Sequence, residues 1–351
     1  MVHSTFSELT CPIIGAPMAG GASTPALAEA VCAAGGMGFL AAGYLTAASL
    51  DTQIAELEKL TTRPFGVNLF VPSQEPTDTE AVGEYRSRLE PYARERGVTL
   101  TDPPTADDDA WDDKLNVVIS RRVPVVSFTF GCPPPYVVSR LHAADVYVVA
   151  TVTSAQEALA AHEFGVDALC VQGPEAGAHR GTFTPRPADP DEPGLLALLA
   201  EVTDAVALPA IAAGGLAGGA DIAAVLDAGA VAAQLGTALL RTPESGAHAV
   251  HKTALVDPRF TQTMVTRAFS GREARGLRNG FIDAFDAVAP RGYPQIHHLT
   301  KPLRAASAAR GDSSDMSLWA GLGHALSRSD PAGRIVAELA AEAARLRRTV
   351  G

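Results

Sequence analysis

Eight short apolar runs separated by helix-patterned segments set the strongest limit on what this chain can fold into. They are Cys11–Met18, Met37–Ala42, Phe65–Val71, Val123–Phe128, Val146–Thr151, Ala168–Gln172, Pro209–Ala213 and Val231–Leu235. Each is continuously apolar rather than alternating, which marks strands buried on both faces, and a helix between successive strands demands parallel pairing through right-handed crossovers. The helices carry start signals. Ser154-Ala-Gln-Glu157 reads as a capping box directly after the fifth run, and Thr24-Pro25 supplies a cap and a first-turn proline after the first. An open, doubly wound sheet competes, but eight runs with glycine turns after the last two favour closure into a (β/α)8 TIM barrel.

Two segments exceed that frame. Residues 73–122 form an insertion after the third run, acidic and proline-containing at first, then helical with Trp111, Leu115, Val118 and Ile119 on one face. From residue 257 the strand–helix alternation stops. The expected division is therefore a barrel over 1–256 carrying the insertion, with an extension over 257–351 packed on it and ending in a helix striped with Ile335, Leu339 and Leu346. With 47% hydrophobic and 19% charged residues the chain has ample material for a folded core. Its net charge of −11 repels nucleic acid and anionic membranes. No run approaches bilayer length, the N-terminus shows no leader pattern, and Cys11, Cys32, Cys132 and Cys170 lack metal-ligand spacing and suit reduced thiols. A cytoplasmic protein, monomeric or homodimeric, is expected.

In such a barrel catalytic groups come from the C-terminal strand ends, so polar residues that abruptly finish apolar runs stand out. Asn68, Gln172 and Gln234 end the third, sixth and eighth runs. Each carboxamide offers donors and an acceptor to the edge of a flat heterocycle such as a flavin; each would serve equally as a tie between loops. Gly214-Gly215 and Gly236-Thr237 follow the last two runs, each expected before a helix, where backbone amides can approach and bind a phosphate. FMN carries one phosphate, which a single compact cradle holds, and these turns lack a GxGxxG fingerprint. The segment IIGAPMAGG brings Met18 near the ring. After Gln172 a loop of about twenty residues carries His179 above this site; long loops of this kind tend to be functional or disordered. Its imidazole either takes or holds a proton there or faces solvent on a mobile loop. His142, His162, His248 and His251 read as packing or surface residues. The arginines of TRAFSGREARGLRNG read as ion-pair anchors beside Glu273, and His297 and His298 fit either the mouth or the surface.

PIIGAPMAGGASTPALAEAVCAAGGMGFLAAGYLT, FGVNLFVP, VQGPEAGAHRGTF, IAAGGLAGGADIAAVLDAGAVAAQLGTALL and TRAFSGREARGLRNGF, in that order across most of the chain, resemble the nitronate monooxygenases, formerly called 2-nitropropane dioxygenases. The most specific piece is QGPEAGAHRG, similar to the family pattern Q-G-x-E-A-G-G-H-x-G. The resemblance implies that His179 is the catalytic base or nitronate-positioning group, and that Met18, Asn68, Gln172, Gly177, Gly214, Gly215, Gln234, Gly236 and Thr237 surround FMN, with no metal. The implied reaction is oxidation of alkyl nitronates, in some members nitroalkanes, by dioxygen to a carbonyl compound and nitrite. Two positions depart from the pattern: Ala178 replaces a glycine, and Leu322 stands where the family usually has glutamine. Two other readings stay open, an FMN-dependent enoyl-thioester reductase of the enoyl-acyl-carrier-protein type using NAD(P)H, and a flavin binder without turnover.

Overall fold

In the computed structural model, which describes Phe6 and residues 9–73 and 76–350, all eight apolar runs become barrel strands. Residues 1–5, 7 and 8, on which the expectation about a leader rests, and Gln74 and Glu75 of the insertion lie outside the described residues. The strands are β1 (Ile13–Gly15), β2 (Phe39–Ala41), β3 (Gly66–Phe70), β4 (Val125–Thr129), β5 (Tyr147–Val152) and β6 (Ala168–Gln172). A two-residue strand outside the barrel, β7 (Ala178–His179), comes next, and β8 (Ala210–Ala213) and β9 (Ala232–Leu235) complete the ring. The barrel strands are parallel in the order β1-β9-β8-β6-β5-β4-β3-β2, and the ring closes where Ile14 bridges Met37 just ahead of β2.

Continuous apolarity follows from this geometry, because successive side chains point to opposite faces and both faces are covered. Ile14, Val125, Tyr147, Val149, Cys170, Ile211 and Ala232 fill the barrel interior. Their neighbours Ile13, Val126, Val148, Leu169, Ala212 and Ala233 pack outward against the helices.

Around the barrel run α1 (Pro25–Ala33), α2 (Ala47–Leu60), α3 (Thr79–Glu95), α4 (Trp111–Ser120), α5 (Pro135–His142), α6 (Ala155–Glu163), α7 (Leu195–Ala205) and α8 (Gly219–Asp227). Thr24 caps α1 by accepting from Leu27 N. The capping box on α6 is only half formed: Ser154 accepts from Glu157 N, but Glu157 accepts from Thr153 N and Oγ1 and from Phe183 N instead of reaching back to Ser154. That carboxylate therefore ties the end of the His179 loop to α6.

The insertion divides in two. In α4, Trp111, Leu115 and Val118 are buried in the layer between strands and helices, with Ile119 packed against it, so α4 serves as the barrel helix after β3. In α3, Val82, Tyr85, Leu89 and Ala93 join a separate core with residues of the tail. Ahead of the tail lies α9 (Ala249–Ala254), and the tail comprises β10 (Thr263–Thr266), β11 (Ala274–Leu277), α10 (Gly280–Phe285), α11 (Gln295–Ala309) and α12 (Ala332–Val350). Phe269, Phe281, Phe285, Ile296, Leu299 and Leu303 supply its share of that second core. α12 returns to the barrel and packs against both α1 and α8. Its buried stripe is Ala332, Ile335, Val336, Leu339 and Ala343. Leu346, expected on the stripe, is 39% exposed. Arg347 pairs there with Asp227, the last residue of α8, so α12 runs past the end of the helix that covers it. Among the described residues no helix is long and apolar enough to cross a membrane.

Candidate active site

β7 joins β11 and β10 in a three-stranded antiparallel sheet, with His179 opposite Ala274 and Ala178 opposite Arg275. The long loop after β6 is thereby pinned rather than left facing solvent. Gln172 holds it from below: its Nε2 donates to the His179 carbonyl at 3.1 Å, and its Oε1 accepts from Gly181 N at 2.8 Å. Of the two roles open to this carboxamide, the tie between loops is the one its hydrogen bonds make. Asn68 is similarly engaged, donating to Ser127 and Thr129, and Gln234 Nε2 lies 3.3 Å from Cys170 Sγ.

All ten residues singled out from the sequence, Met18, Asn68, Gln172, Gly177, His179, Gly214, Gly215, Gln234, Gly236 and Thr237, line one cavity of about 360 Å³ at the C-terminal mouth of the barrel. Gly214 and Gly215 stand at φ +127° and +70°, a turn that a side chain would strain. A Cβ on Gly236 would project toward Ala16 and Met18 at 3.5 and 3.8 Å, so its absence keeps the backbone open to the cavity. Gly177 is needed for packing, since a Cβ there would meet Gly321 N at 2.5 Å. α8 follows the first glycine turn. The second leads only into a single 3-10 turn, Thr237–Leu239, so amides rather than a full helix dipole are available at that end.

Aromatic rings wall the cavity around His179. Phe130 and Trp319, which line it, and Tyr293, which packs on Phe130, have centroids 5.6, 5.5 and 5.5 Å from the imidazole in the order Phe130, Trp319, Tyr293, and the cavity residue Tyr44 stacks on His297 at 4.1 Å. Tyr44, Phe130 and Ala178 all adopt left-handed backbone, at φ +68°, +75° and +63°. Such strain costs an L-residue about 1–2 kcal/mol and collects at functional sites. Ala178 thus keeps the conformation that glycine adopts freely. Leu322, the other departure, is 56% exposed and lines a neighbouring groove of about 520 Å³ together with Arg186 and Arg275. It does not line the cavity.

His179 Nε2 lies 2.9 Å from Ser270 Oγ, and that hydroxyl donates to the Arg272 carbonyl at 3.2 Å. The serine therefore accepts from Nε2–H, and the basic lone pair of the ring is on Nδ1. Burial, then the positive charges of Arg272 and Arg304, push the imidazole pKa down to about 3. Arg272 is buried, stacks over Phe130 at 4.0 Å and donates to the Thr182 carbonyl. The tail arginines thus do not act alike: Arg267 and Arg291 pair with Glu273 as anchors, whereas Arg272 turns inward. His297 lines the cavity, and His298 instead meets Asp107 at 2.7 Å. His251, read from sequence as packing or surface, also lines the cavity, where its Nε2 holds the Trp319 carbonyl at 2.9 Å. The sequence reading missed Tyr44, Phe130, Trp319 and Arg304 as cavity residues. The tail segments GYPQIHHLTKPLR and WAGLG, which end on Arg304 and begin on Trp319, offered a local signal.

The fold is a TIM barrel whose C-terminal mouth holds this cavity. The sequence profile of the family described as nitronate monooxygenase matches residues 4–342. A probable nitronate monooxygenase of Staphylococcus aureus strain Newman is 36% identical over 333 residues, covering 93% of both chains. The solved nitroalkane oxidase of Streptomyces ansochromogenes superposes with a TM-score of 0.95 at 49% identity over the full length of both chains. FabK from Thermotoga maritima superposes at 0.77 with 28% identity, over 99% of this chain and 97% of that one. The chain belongs to the nitronate monooxygenase family and is an oxidoreductase.

Proposed function

We propose that the protein binds FMN in this cavity and oxidises alkyl nitronates with dioxygen to a carbonyl compound and nitrite. The observation that carries the reading is the convergence of a glycine-turn cradle and a half-buried neutral imidazole in one aromatic-walled cavity. Gly214, Gly215, Gly236 and Thr237 would hold the phosphate through backbone amides. Met18, Asn68, Gln172, Gly177 and Gln234 would surround the ring. When bound, FMN supplies the electron acceptor for the nitronate and the donor to dioxygen.

The chain's own part is to position and to exclude water. Phe130 and Trp319 would enclose a small alkyl group beside His179. Nδ1 of His179 is the atom that would take an α-proton from a neutral nitroalkane. A base works best with a pKa near the working pH, and a value of about 3 is far below it. The same neutral ring, with guanidinium groups near, suits a substrate that arrives already ionised. Nitronate is accordingly the preferred substrate and nitroalkane the poorer one.

The likeness to FabK keeps a flavin-dependent enoyl-thioester reductase as the rival reading. Anaerobic mixing separates them. Propyl-2-nitronate should bleach the oxidised flavin absorbance of the purified protein and NADPH should not; the reverse pattern would establish the rival. Colourless protein that refuses added FMN would remove both.

A further inference from the structure

Arg304, on α11, is a cation with no anionic partner among the described residues. Its Nε donates to Thr300 Oγ1 at 3.2 Å, and its Nη2 donates to the His297 carbonyl at 2.8 Å and faces His297 Nδ1 at 3.3 Å. Nη1 makes no hydrogen bond among the described residues, and no carboxylate of those residues lies within 4.0 Å of the guanidinium. The side chain lines the cavity. Burial there lowers its pKa to about 10, and the one counter-influence is the Tyr44 hydroxyl. Its charge reaches His179. Arg272, the other inward guanidinium, differs in being tied to Thr182 and stacked on Phe130.

A desolvated guanidinium is costly unless something pairs with it, and its planar fork matches two oxygens on one atom. The two oxygens of a nitronate have that geometry and share a full negative charge. A neutral nitro group presents the same shape with only partial charges. We propose that Arg304 is the anion-recognising residue of this site and makes the enzyme select nitronate anions over the neutral nitroalkanes from which they form. The inference rests on the nitronate-oxidising reading and deepens it. Charge-assisted hydrogen bonds of this kind typically contribute about 1.5–3 kcal/mol, which corresponds to about 10–100-fold in affinity.

Nitrate, a planar anion of similar size that cannot be oxidised at this site, tests recognition apart from turnover. Its binding is followed by flavin absorbance and by the fluorescence of Trp319 in the cavity wall. The wild-type protein should bind nitrate saturably and in competition with propyl-2-nitronate. Arg304→Gln should weaken nitrate by about tenfold or more and lower kcat/KM for the nitronate by about 10–100-fold, a larger factor than for 2-nitropropane. Arg304→Lys, which keeps the charge and loses the fork, should fall between the two. Unchanged nitrate affinity in Arg304→Gln, or an equal loss on both substrates, overturns the assignment. So does loss of flavin from Arg304→Gln with retention in Arg304→Lys, because the guanidinium would then serve the cofactor. If Arg304→Gln does not fold, the lysine variant decides: nitrate affinity equal to wild type overturns the proposal. If the wild-type protein oxidises neither substrate, the functional reading fails while the nitrate titration still judges Arg304.

Discussion

Ala178 at φ +63° carries a methyl group where the backbone favours none, directly before the imidazole that the site is built around. Ala178→Gly should relieve about 1–2 kcal/mol of strain and lose about 0.5–1 kcal/mol to the greater freedom of glycine in the unfolded chain. The net expectation is a gain of up to about 1.5 kcal/mol in urea unfolding with unchanged flavin content; a loss of stability would show that the position is not strained. At the next residue, burial and two nearby guanidiniums hold His179 neutral with a pKa of about 3. The kcat/KM profile for nitronate should therefore show no ionisation of this ring between pH 5 and 8. If His179 is the base of the proposed reaction, His179→Asn should leave the flavin bound while turnover of neutral nitroalkane drops by about 10²–10⁴-fold and nitronate turnover by less. Undiminished nitroalkane turnover in the variant would exclude the base role. Gln172 and the glycine turns were legible at the mouth because a polar or glycine residue ending an apolar run is a local signal, and His179 because it sits in the long loop directly after Gln172. Arg304 and Trp319 were not, since each reaches the mouth only through the path of the tail, and an arginine on an amphipathic helix looks the same whether it faces water or a cavity.

Among the elements, the strands and α4 were readable because their periodicity states which face is buried. α3 shows an equally clear apolar face, yet nothing in its own residues says that the partner is a segment almost two hundred positions later. Asp315 makes that union concrete. Its side chain is fully buried and accepts from Tyr92 Oη at 2.5 Å and Arg96 Nε at 2.6 Å, which joins α3 to the segment after α11. Met316 and Ser317, the next two residues, line the cavity. Asp315→Ala leaves a buried phenol and a guanidinium without their acceptor and should cost about 2–4 kcal/mol in urea unfolding. The cavity wall should loosen with it, raising KM for nitronate while flavin content holds. A variant as stable as wild type would show that the apolar core alone holds α3 to the tail.

Across the whole molecule, the tail brings His297, Arg304 and Trp319 onto the barrel mouth beside His179 and His251, and this has a consequence for acid stability. Burial keeps three cavity histidines neutral: His179 at about 3, His251 at about 4, and His297 lower still, with Arg304 beside it. In the unfolded chain each titrates near the ordinary value of about 6.5. Above pH 7.5 neither state binds these protons, and the three contribute no pH dependence. As pH falls below 6.5 the unfolded chain takes them up and the folded protein does not, so stability must fall with pH. Each ring contributes about 1.4 kcal/mol per pH unit until its own folded pKa is reached. Carboxylates held low by their partners, such as Asp107 and Asp312, act mainly below pH 5 and leave the window from 5 to 6.5 to the histidines. Urea midpoints should fall steeply across that window, with two to three protons taken up on unfolding. His251→Gln keeps a donor for the Trp319 carbonyl but cannot titrate, and its slope should be shallower by about one proton. A flat midpoint between pH 7.5 and 5 would mean that water or a bound anion reaches these rings in the folded protein.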